Sequence, residues 1–571
     1  MAAPAFPEAR AARLAALFAG LMMSVPFLLP RHRLPIASFD AEWLACLLGV
    51  LAALALLWRA PLLLPRIAFA PLALAVVVVL QLALGMVAYA STVLIAVAAL
   101  VWGALLAAVG RSAAATLGLP VLSAVLAWST LAGGLISALY GLLQWRSLDV
   151  LAPGLIWPGE VVGITGNLAQ PNHFATQIAL ALASAAWLRG SAHLGRAAFG
   201  AIALPLLGAL VLSGSRSGAL YLTAIAFVWI AATHCASKPM QWRSVLIPVT
   251  CLLGLWLAAS TGLFGPRLVR LGDVGEGLGP RVYLWRHALT MFLEHPWLGV
   301  GFDGYASTLL GQLGPQETGR RLDPYAHNLG LQMLATCGLA GLAALALPTW
   351  GWLRRRRAAA LEPAQWWGTI MIAILFIHSM LEQPLYYTYF LGIATFIAGA
   401  FDPSGTALVY SPVRRRALAA ALSLALVVLG RTAVDYETLA SQFYAGDPAL
   451  VHDARHLALL ERLHTTSIFA PLTELIAPER LVPVDAPAGV RLDLNTRLLR
   501  YAPVAEVAYR QAALLAESGQ PEKAIAQLTQ AARAYPAELP FFQARFDRLA
   551  VTDGATFAGL AVHARRQQNP P

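Results

Sequence analysis

Ala68 to Val109 reads AFAPLALAVVVVLQLALGMVAYASTVLIAVAALVWGALLAAV, without one charged side chain. A bilayer core takes roughly 20 apolar residues per helix, so this stretch holds two spans, about 68–88 and 91–109. Similar runs recur on both sides of it, at about 12–30, 41–58, 119–143, 171–188, 197–213, 217–233, 245–263, 327–350, 366–382, 385–401 and 417–434. Together they predict an all-α fold, a polytopic transmembrane helix bundle of about 12–13 spans. Composition agrees. Of 571 residues, 58% are hydrophobic and 12% charged, less charge than a soluble chain of this size exposes. Arg10 and Arg13 precede the first run and no small-residue cleavage site is obvious, so an uncleaved first helix is expected there.

The formal charge of +11 invites a nucleic-acid reading. The basic residues, however, sit mostly in short loops between apolar runs, which marks them as topology determinants, and no basic patch is interleaved with aromatics. No nucleic-acid partner is expected; membrane lipids are. Arg59 and Arg66, Arg111, Arg189 and Arg196, Lys238 and Arg243, Arg354 to Arg357, and Arg414 to Arg416 fall in alternate loops, which therefore face the cytoplasm together. Arg31 and Arg33 break this pattern. The four cysteines, Cys46, Cys235, Cys251 and Cys337, form no CxxC pair and suggest neither a disulfide framework nor a zinc site.

This alternation places five segments outside: 144–170, the turn at 213–217, the long loop 264–326, the junction 382–385, and everything after 434. A loop as long as 264–326 is commonly functional. Beyond 434 the composition shifts to dispersed charge. Ala505 to Pro536 there reads as two amphipathic helices broken at Ser518-Gly519-Gln520-Pro521, resembling one tetratricopeptide hairpin. The expected organisation is N-terminal transmembrane helices over 1–160, a transmembrane core over 161–434 carrying the loop 264–326, and a small C-terminal helical repeat-like domain over 435–571.

Polar side chains gather at the outer helix ends, the default place for function in a membrane protein. GNLAQPNHFATQ, Gly166 to Gln177, opens a span with Asn167, Gln170, Asn172 and His173 around Pro171, which suits a first helical turn. Helix capping and ligand contact compete as explanations for Asn172, whereas ligand contact is the stronger reading for Gln170. SGSRSG, Ser213 to Gly218, is a tight turn with Arg216 at its apex. Its small residues admit an anion and the Arg adds a bidentate fork, although an interfacial Arg can also reach lipid phosphates.

In the long loop, GPRVYLWRHALTMFLEHPWLGVGFDGY, Gly279 to Tyr305, places Arg281, Trp285 and Leu289 at helical spacing. This suggests an amphipathic interfacial helix with Trp285 and Trp297 as anchors. The loop's arginines and carboxylates balance, so only a particular Arg can be argued, and Arg286 and His287 read as solvated helix face. DPYAHNLGLQMLATCGLAGL, Asp323 to Leu342, starts a span with His327 and Asn328, and an imidazole at a helix mouth can accept a proton. LEQPLYYTYFLG, Leu381 to Gly392, brings Glu382, Gln383, Tyr386, Tyr387 and Tyr389 to the same side, as belt residues or as ligand contacts.

The SGSRSG turn, the block from Arg281 through His295-Pro296-Trp297-Leu298-Gly299-Val300-Gly301, and His327-Asn328 followed by Cys337-Gly338-Leu339 together resemble the O-antigen ligase and polymerase superfamily of bacterial inner-membrane glycosyltransferases. The resemblance covers roughly 160–400. GNLAQPNHFA and a domain after the last span are similar to the protein O-oligosaccharyltransferases that glycosylate pilins. The resemblance implies a GT-C-like bundle with a periplasmic active-site loop. The implied reaction transfers a glycan en bloc from undecaprenyl diphosphate to a Ser or Thr hydroxyl of a pilin-like acceptor protein, inverting the anomeric centre without a metal or other cofactor. The sequence holds no DxD and no cluster at metal-ligand spacing. By the same resemblance, Arg216 and Arg281 would stabilise the diphosphate leaving group and His327 would act as base. Gln170, Asn172, Tyr386 and Tyr387 would bind sugar or acceptor, while His173 matches the family segment with no assigned chemistry.

Four rival readings stand beside this one. A ligase would use lipid A–core as acceptor, and a polymerase would join lipid-linked repeats. A transporter or flippase would place ionisable groups near mid-membrane and show internal repeats, which this chain does not. An assembly scaffold would not need Arg216, Arg281 and His327 together.

Overall fold

A computed structural model describes residues 6–159, 163–235, 274–357, 363–407, 411–444, 454–482 and 485–568. The expected span at 245–263, the loop residues 264–273, Lys238, Arg243 and Cys251 lie outside the described residues. The remaining expected spans each fall on a helix: α1 (Phe6–Met22), α2 (Phe39–Leu57), α3 (Phe69–Ala83), α4 (Ala90–Leu117), α5 (Leu119–Trp145), α6 (Pro171–Gly190), α7 (Arg196–Leu212), α8 (Ser217–Cys235), then α11 (Leu329–Arg357), α12 (Pro363–Ser379), α13 (Thr388–Ala400) and α14 (Pro412–Tyr444). Between α8 and α11 lie α9 (Val274–Glu294) and α10 (Tyr305–Gln312). After α14 come α15 (Ala454–Thr466), α16 (Ala470–Ile476), α17 (Pro478–Leu481), α18 (Ala488–Tyr501), α19 (Ala505–Glu517), α20 (Pro521–Ala534), α21 (Leu539–Thr552) and α22 (Gly554–Gln568). Among the described residues, seven helices are long and apolar enough to cross a membrane. The fold is that of a polytopic α-helical membrane protein.

The chain divides into two compact units. The first comprises Met1–Leu74, Ala99–Gly275 and Ala344–Ala433. Its helices approach through small residues, as helices in lipid do when packing rather than water drives them together. A Cβ on Gly110 would collide with the Phe396 carbonyl, one on Gly399 with the Ala107 carbonyl, and one on Gly134 with Ala181. Buried polar groups add interhelical bonds: Trp367 Nε1 donates to Ser184 Oγ at 3.0 Å, and Trp187 Nε1 to the Pro363 carbonyl at 2.7 Å. At one end, three of the basic loops meet. Arg355 pairs with Asp402 at 2.9 Å, the Arg66 N–H donates to Ser404 Oγ, and Arg111 Nε donates to the Ser404 carbonyl. There too the strands β1 (Leu63–Leu64) and β2 (Thr406–Ala407) pair antiparallel.

The second unit comprises Ala75–Ala98, Glu276–Ala343 and Val434–Pro571. The long loop and the C-terminal helices share one core in which Leu284, Ala288, Tyr305 and Leu309 pack with Tyr509, Ala512, Leu528 and Phe542. Hydrogen bonds reinforce it, with the Gly319 N–H donating to the Arg533 carbonyl at 2.8 Å and the Arg533 side chain donating through Nη1 to the Leu313 carbonyl at 2.9 Å. Helix α9 forms over the expected stretch. It buries Leu284, His287, Ala288 and Met291 and exposes Val282, Leu289 and Leu293, and Trp297 beyond its end is 72% exposed. Helices α19 and α20 break at the expected point. The Gln520 and Gly519 N–H groups donate to the Leu515 and Ala516 carbonyls, closing a left-handed cap at Gly519 (φ +72°).

Helix α11 is broken at Gly338 (φ 62°, ψ −158°). The segment His295 to Gly301 fills the break. The Val300 and Gly301 N–H groups donate to the Ala335 and Thr336 carbonyls at 2.9 and 3.1 Å, and the Leu339 and Ala340 N–H groups donate back to the Pro296 and Trp297 carbonyls at 2.8 and 3.1 Å. A Cβ at Gly299 or Gly338 would strike the opposing backbone, so both positions require glycine. Gln81 Nε2 donates to both the Leu298 and Thr336 carbonyls, at 2.7 and 2.8 Å. Irregular backbone at membrane depth persists only when its polar groups are satisfied in this way. In the loop that follows, burial pushes the Asp303 carboxyl up to about 6, against the lowering effects of its own N–H, Arg500 and the Ala88 N–H.

Candidate active site

Gln144 builds the entry to α6. Its Oε1 accepts from the Thr165 and Gly166 N–H groups, and its Nε2 donates to the Trp157 and Gly166 carbonyls. Asn167 does the same one residue on, accepting from the Trp157 N–H and donating to the Leu28 and Leu155 carbonyls. Both side chains spend their amides on backbone, so they shape the segment rather than face a ligand. Ala169 then adopts φ +52°, a left-handed conformation costly for a side-chain-bearing residue and concentrated at functional sites.

The next two polar residues exchange the weight given them on sequence. Gln170 caps α6, its side-chain oxygen accepting from the His173 N–H, with Pro171 in the first turn. Asn172 makes the long-range contacts instead. Its Nδ2 donates to Glu382 Oε1 at 3.0 Å, and its Oδ1 accepts from Ser215 Oγ at 2.7 Å. The turn at 213–217 is tightened by Ser213, which accepts from the Ser215 N–H at 3.2 Å and donates to the Leu210 carbonyl. Arg216 stands exposed at its apex, at the start of α8. The turn is joined to the α6 entry a second time through the Ile164 N–H and the Leu212 carbonyl.

A third segment closes on these two. His378, fully buried in α12, shares a 2.9 Å hydrogen bond between Nδ1 and Thr176 Oγ1, which also bonds the Tyr221 hydroxyl at 2.9 Å. His173 lies edge-on to Tyr387 with ring centroids 4.8 Å apart, and its Nδ1 meets the Tyr389 hydroxyl at 3.2 Å. Thr388 bonds Glu42, its hydroxyl donating to the Glu42 carbonyl at 3.0 Å. The buried amides of Gln177 and Gln383 have no hydrogen-bond partner among the described residues. Unsatisfied buried groups are costly, and a ligand or water commonly supplies their partners.

In the second unit, Arg281 is half-buried on α9. The solvated-face reading holds for Arg286, which is exposed, and is corrected for His287. His287 is only 6% exposed, its Nε2 lies 3.2 Å from Glu317 Oε1 and its Nδ1 lies 3.1 Å from Gln312 Oε1. Arg286 pairs with the same carboxylate. The physical reason is tertiary, because the turn at 315–317 covers this face. Burial raises the Glu317 carboxyl, but the Gly314 N–H, His287 and Arg286 outweigh it and hold the group below its ordinary range. His327 takes φ +52° immediately before α11 and lies 3.9 Å from Asp323, which Arg321 also pairs at 2.9 Å. Asn328 accepts from the Leu331 N–H at 3.1 Å and so caps the helix.

The structure thus gathers Gln170, Asn172, Arg216, Tyr386 and Tyr387 in the first unit, while Arg281 and His327 belong to the second. Sequence reasoning missed His378, Thr176 and Tyr221. The available signal was a histidine within the apolar run ILFIHSM, since ionisable groups at such depth are expensive and mark function by default.

Three family comparisons match the chain. Residues 164–188 match a family described as "Protein glycosylation ligase", residues 201–346 match "O-Antigen ligase", and residues 366–548 match "Virulence factor membrane-bound polymerase, C-terminal". A general O-oligosaccharyltransferase of Acinetobacter baylyi is 26% identical over 67% of this chain and 69% of its own length. A ComP-specific O-oligosaccharyltransferase of the same organism is 23% identical over 41% of this chain and 43% of its own. An O-antigen ligase of Pseudomonas aeruginosa is 32% identical over 29% of this chain and 38% of its own.

Proposed function

We propose that this protein, a relative of the O-antigen ligases and O-oligosaccharyltransferases, transfers a preassembled glycan from undecaprenyl diphosphate to a Ser or Thr hydroxyl of a periplasmic, pilin-like protein. The carrying observation is the three-segment cluster at the α6 entry. There Asn172 ties the Arg216 turn to Glu382 within the stretch matching a protein glycosylation ligase. The meeting of the Arg66, Arg111 and Arg355 loops on Asp402 and Ser404 supports their common cytoplasmic side, and hence a periplasmic site in the inner membrane.

As the glycosidic bond breaks, negative charge builds on the departing diphosphate. Guanidiniums meet such charge with paired N–H donors, each charge-assisted bond contributing about 1.5–3 kcal/mol net. Arg216 and Arg281 are the guanidiniums assigned to this purpose. His327 takes the acceptor hydroxyl proton or orients the hydroxyl. Gln170 spends its side-chain oxygen on the helix cap and keeps its amide N–H2 for a sugar or acceptor oxygen. Tyr386 and Tyr387 offer hydroxyls and ring faces to the glycan.

Purified protein given polyprenyl-diphosphate glycan and a pilin-like protein should glycosylate that protein. The 32% identity to an O-antigen ligase favours one alternative acceptor, lipid A–core. Product on lipid A–core alone would replace the protein acceptor with the lipid one, and product on neither would remove the transferase reading.

A further inference from the structure

Two tiers of hydrogen bonds join the α6 entry to α8 and α12. The outer tier is Ser215–Asn172–Glu382. The inner tier lies one helical turn away, where Thr176, Tyr221 and His378 are all fully buried. The roles proposed for glycan transfer leave these three residues unused. Thr176 Oγ1 makes three contacts, with the Asn172 carbonyl, the Tyr221 hydroxyl and His378 Nδ1, each at 2.9 Å. Every contact needs one proton, and a carbonyl supplies none. The Thr176 proton therefore goes to the Asn172 carbonyl. The two lone pairs of Oγ1 then accept from the Tyr221 hydroxyl and from His378 Nδ1–H, so the imidazole is protonated at Nδ1. Tyr221 also hydrogen-bonds the Ser217 side chain. With its own proton given to Thr176, its oxygen accepts there.

The two tiers meet at their ends. The inner one finishes on the main chain of Asn172, whose side chain makes the outer one. It begins at Ser217, the first residue of α8 and the next in sequence after Arg216. His378 stands one turn before Glu382, whose N–H donates to the His378 carbonyl at 2.8 Å. Hydrogen bonds that all run one way along such a chain polarise one another, and in buried surroundings a missing proton is costly. A threonine bonded back to its own helix is ordinary. A tyrosine and a histidine converging on it from two other helices are not, since apolar side chains would fill the same space without burying an imidazole. We infer that Tyr221, Thr176 and His378 are positioning residues. They hold the first turn of α8, and with it Arg216, in place for the departing diphosphate, with His378 serving as an Nδ1–H donor. This rests on the role proposed for Arg216.

The test is a double-mutant cycle on full-length protein in detergent, read as kcat/KM for polyprenyl-diphosphate glycan with a pilin-like acceptor. Tyr221→Phe removes one oxygen atom and should lower the value about tenfold, the scale of one or two hydrogen bonds. Made on the Arg216→Lys background, the same change should cost less than about twofold, because the fork it positions is already gone. No loss in Tyr221→Phe overturns the inference. So does an equal factor in both backgrounds, which a loss of folded protein would also produce. At His378 the readout is rescue. An Asn amide can place a donor where Nδ1 stands, so His378→Asn should stay within about threefold of wild type while His378→Leu falls about tenfold. Equal losses in the two overturn the donor role. Wild-type turnover by Arg216→Lys removes the diphosphate role and the purpose of the inner tier together. If Arg216→Lys is impaired and Tyr221→Phe adds its full cost, the inner tier alone falls and the proposed function stands.

Discussion

Asn172 accepts a hydrogen bond from Ser215 at 2.7 Å and donates one to Glu382 at 3.0 Å, so a single amide ties the start of α6 to the turn before Arg216 and to the junction after α12. Asn172→Ala removes both ties and leaves the Gln170 cap intact. Transfer should fall about tenfold or more, the scale of one or two hydrogen bonds to partners that include a carboxylate. The check is kcat/KM with lipid-linked donor, and a wild-type value would show that the tie does not position Arg216.

Arg216→Lys and Arg281→Lys keep the charge but lose the planar fork. Each should lose most activity, about 10-fold to 100-fold, from one charge-assisted bond. Wild-type turnover in both, at normal membrane levels, would remove the diphosphate role.

His327→Ala should slow transfer roughly 100-fold or more if the imidazole handles the acceptor proton. The rate is to be measured at pH 6, 7 and 8. Activity equal to wild type at all three values would exclude His327 as the base.

Asp303 has a folded-state carboxyl raised to about 6 by burial. Its contribution to stability is therefore full below the unfolded value near 4 and is lost as pH rises through 6. Asp303→Asn does not titrate, so its thermal stability should match wild type near pH 4 and exceed it at pH 8, by about 3 kcal/mol at most. A constant difference between the two proteins over that range would contradict the assignment.

Gln81→Leu strands the Leu298 carbonyl at the break in α11 and takes one of two donors from the Thr336 carbonyl, which keeps the Gly301 N–H. Leaving a buried acceptor unsatisfied costs about 1–3 kcal/mol. Thermal unfolding in detergent should show the loss, and unchanged stability would mean that another group satisfies the Leu298 carbonyl.

The spans were legible because a bilayer demands long apolar runs whatever the neighbours are. Tertiary partners were not legible. Gln170 caps a helix although short side chains are preferred there, so its amide could not be told from that of Asn172 by residue type. His287 read as solvated because Glu317 and Gln312, which bury it, lie beyond its own helix, and Glu317 comes from a turn with no helical pattern of its own. The break at Gly338 was hidden inside an uninterrupted apolar run, since hydropathy records composition and not φ. The site segments were found by their polar residues, but which amide reaches across the bundle depended on contacts more than 40 residues apart in sequence.

The clasp between His295–Gly301 and α11 is made of main-chain atoms, and that shifts where the protein tolerates change. Gly299, Gly301 and Gly338 must stay, and the buried Ala335, Thr336 and Cys337 leave no room for larger side chains. Adding or deleting one residue within either paired segment would slide the rungs out of step and unpair the main-chain groups at the break. Length, as much as side-chain size, is what this part of the chain must keep.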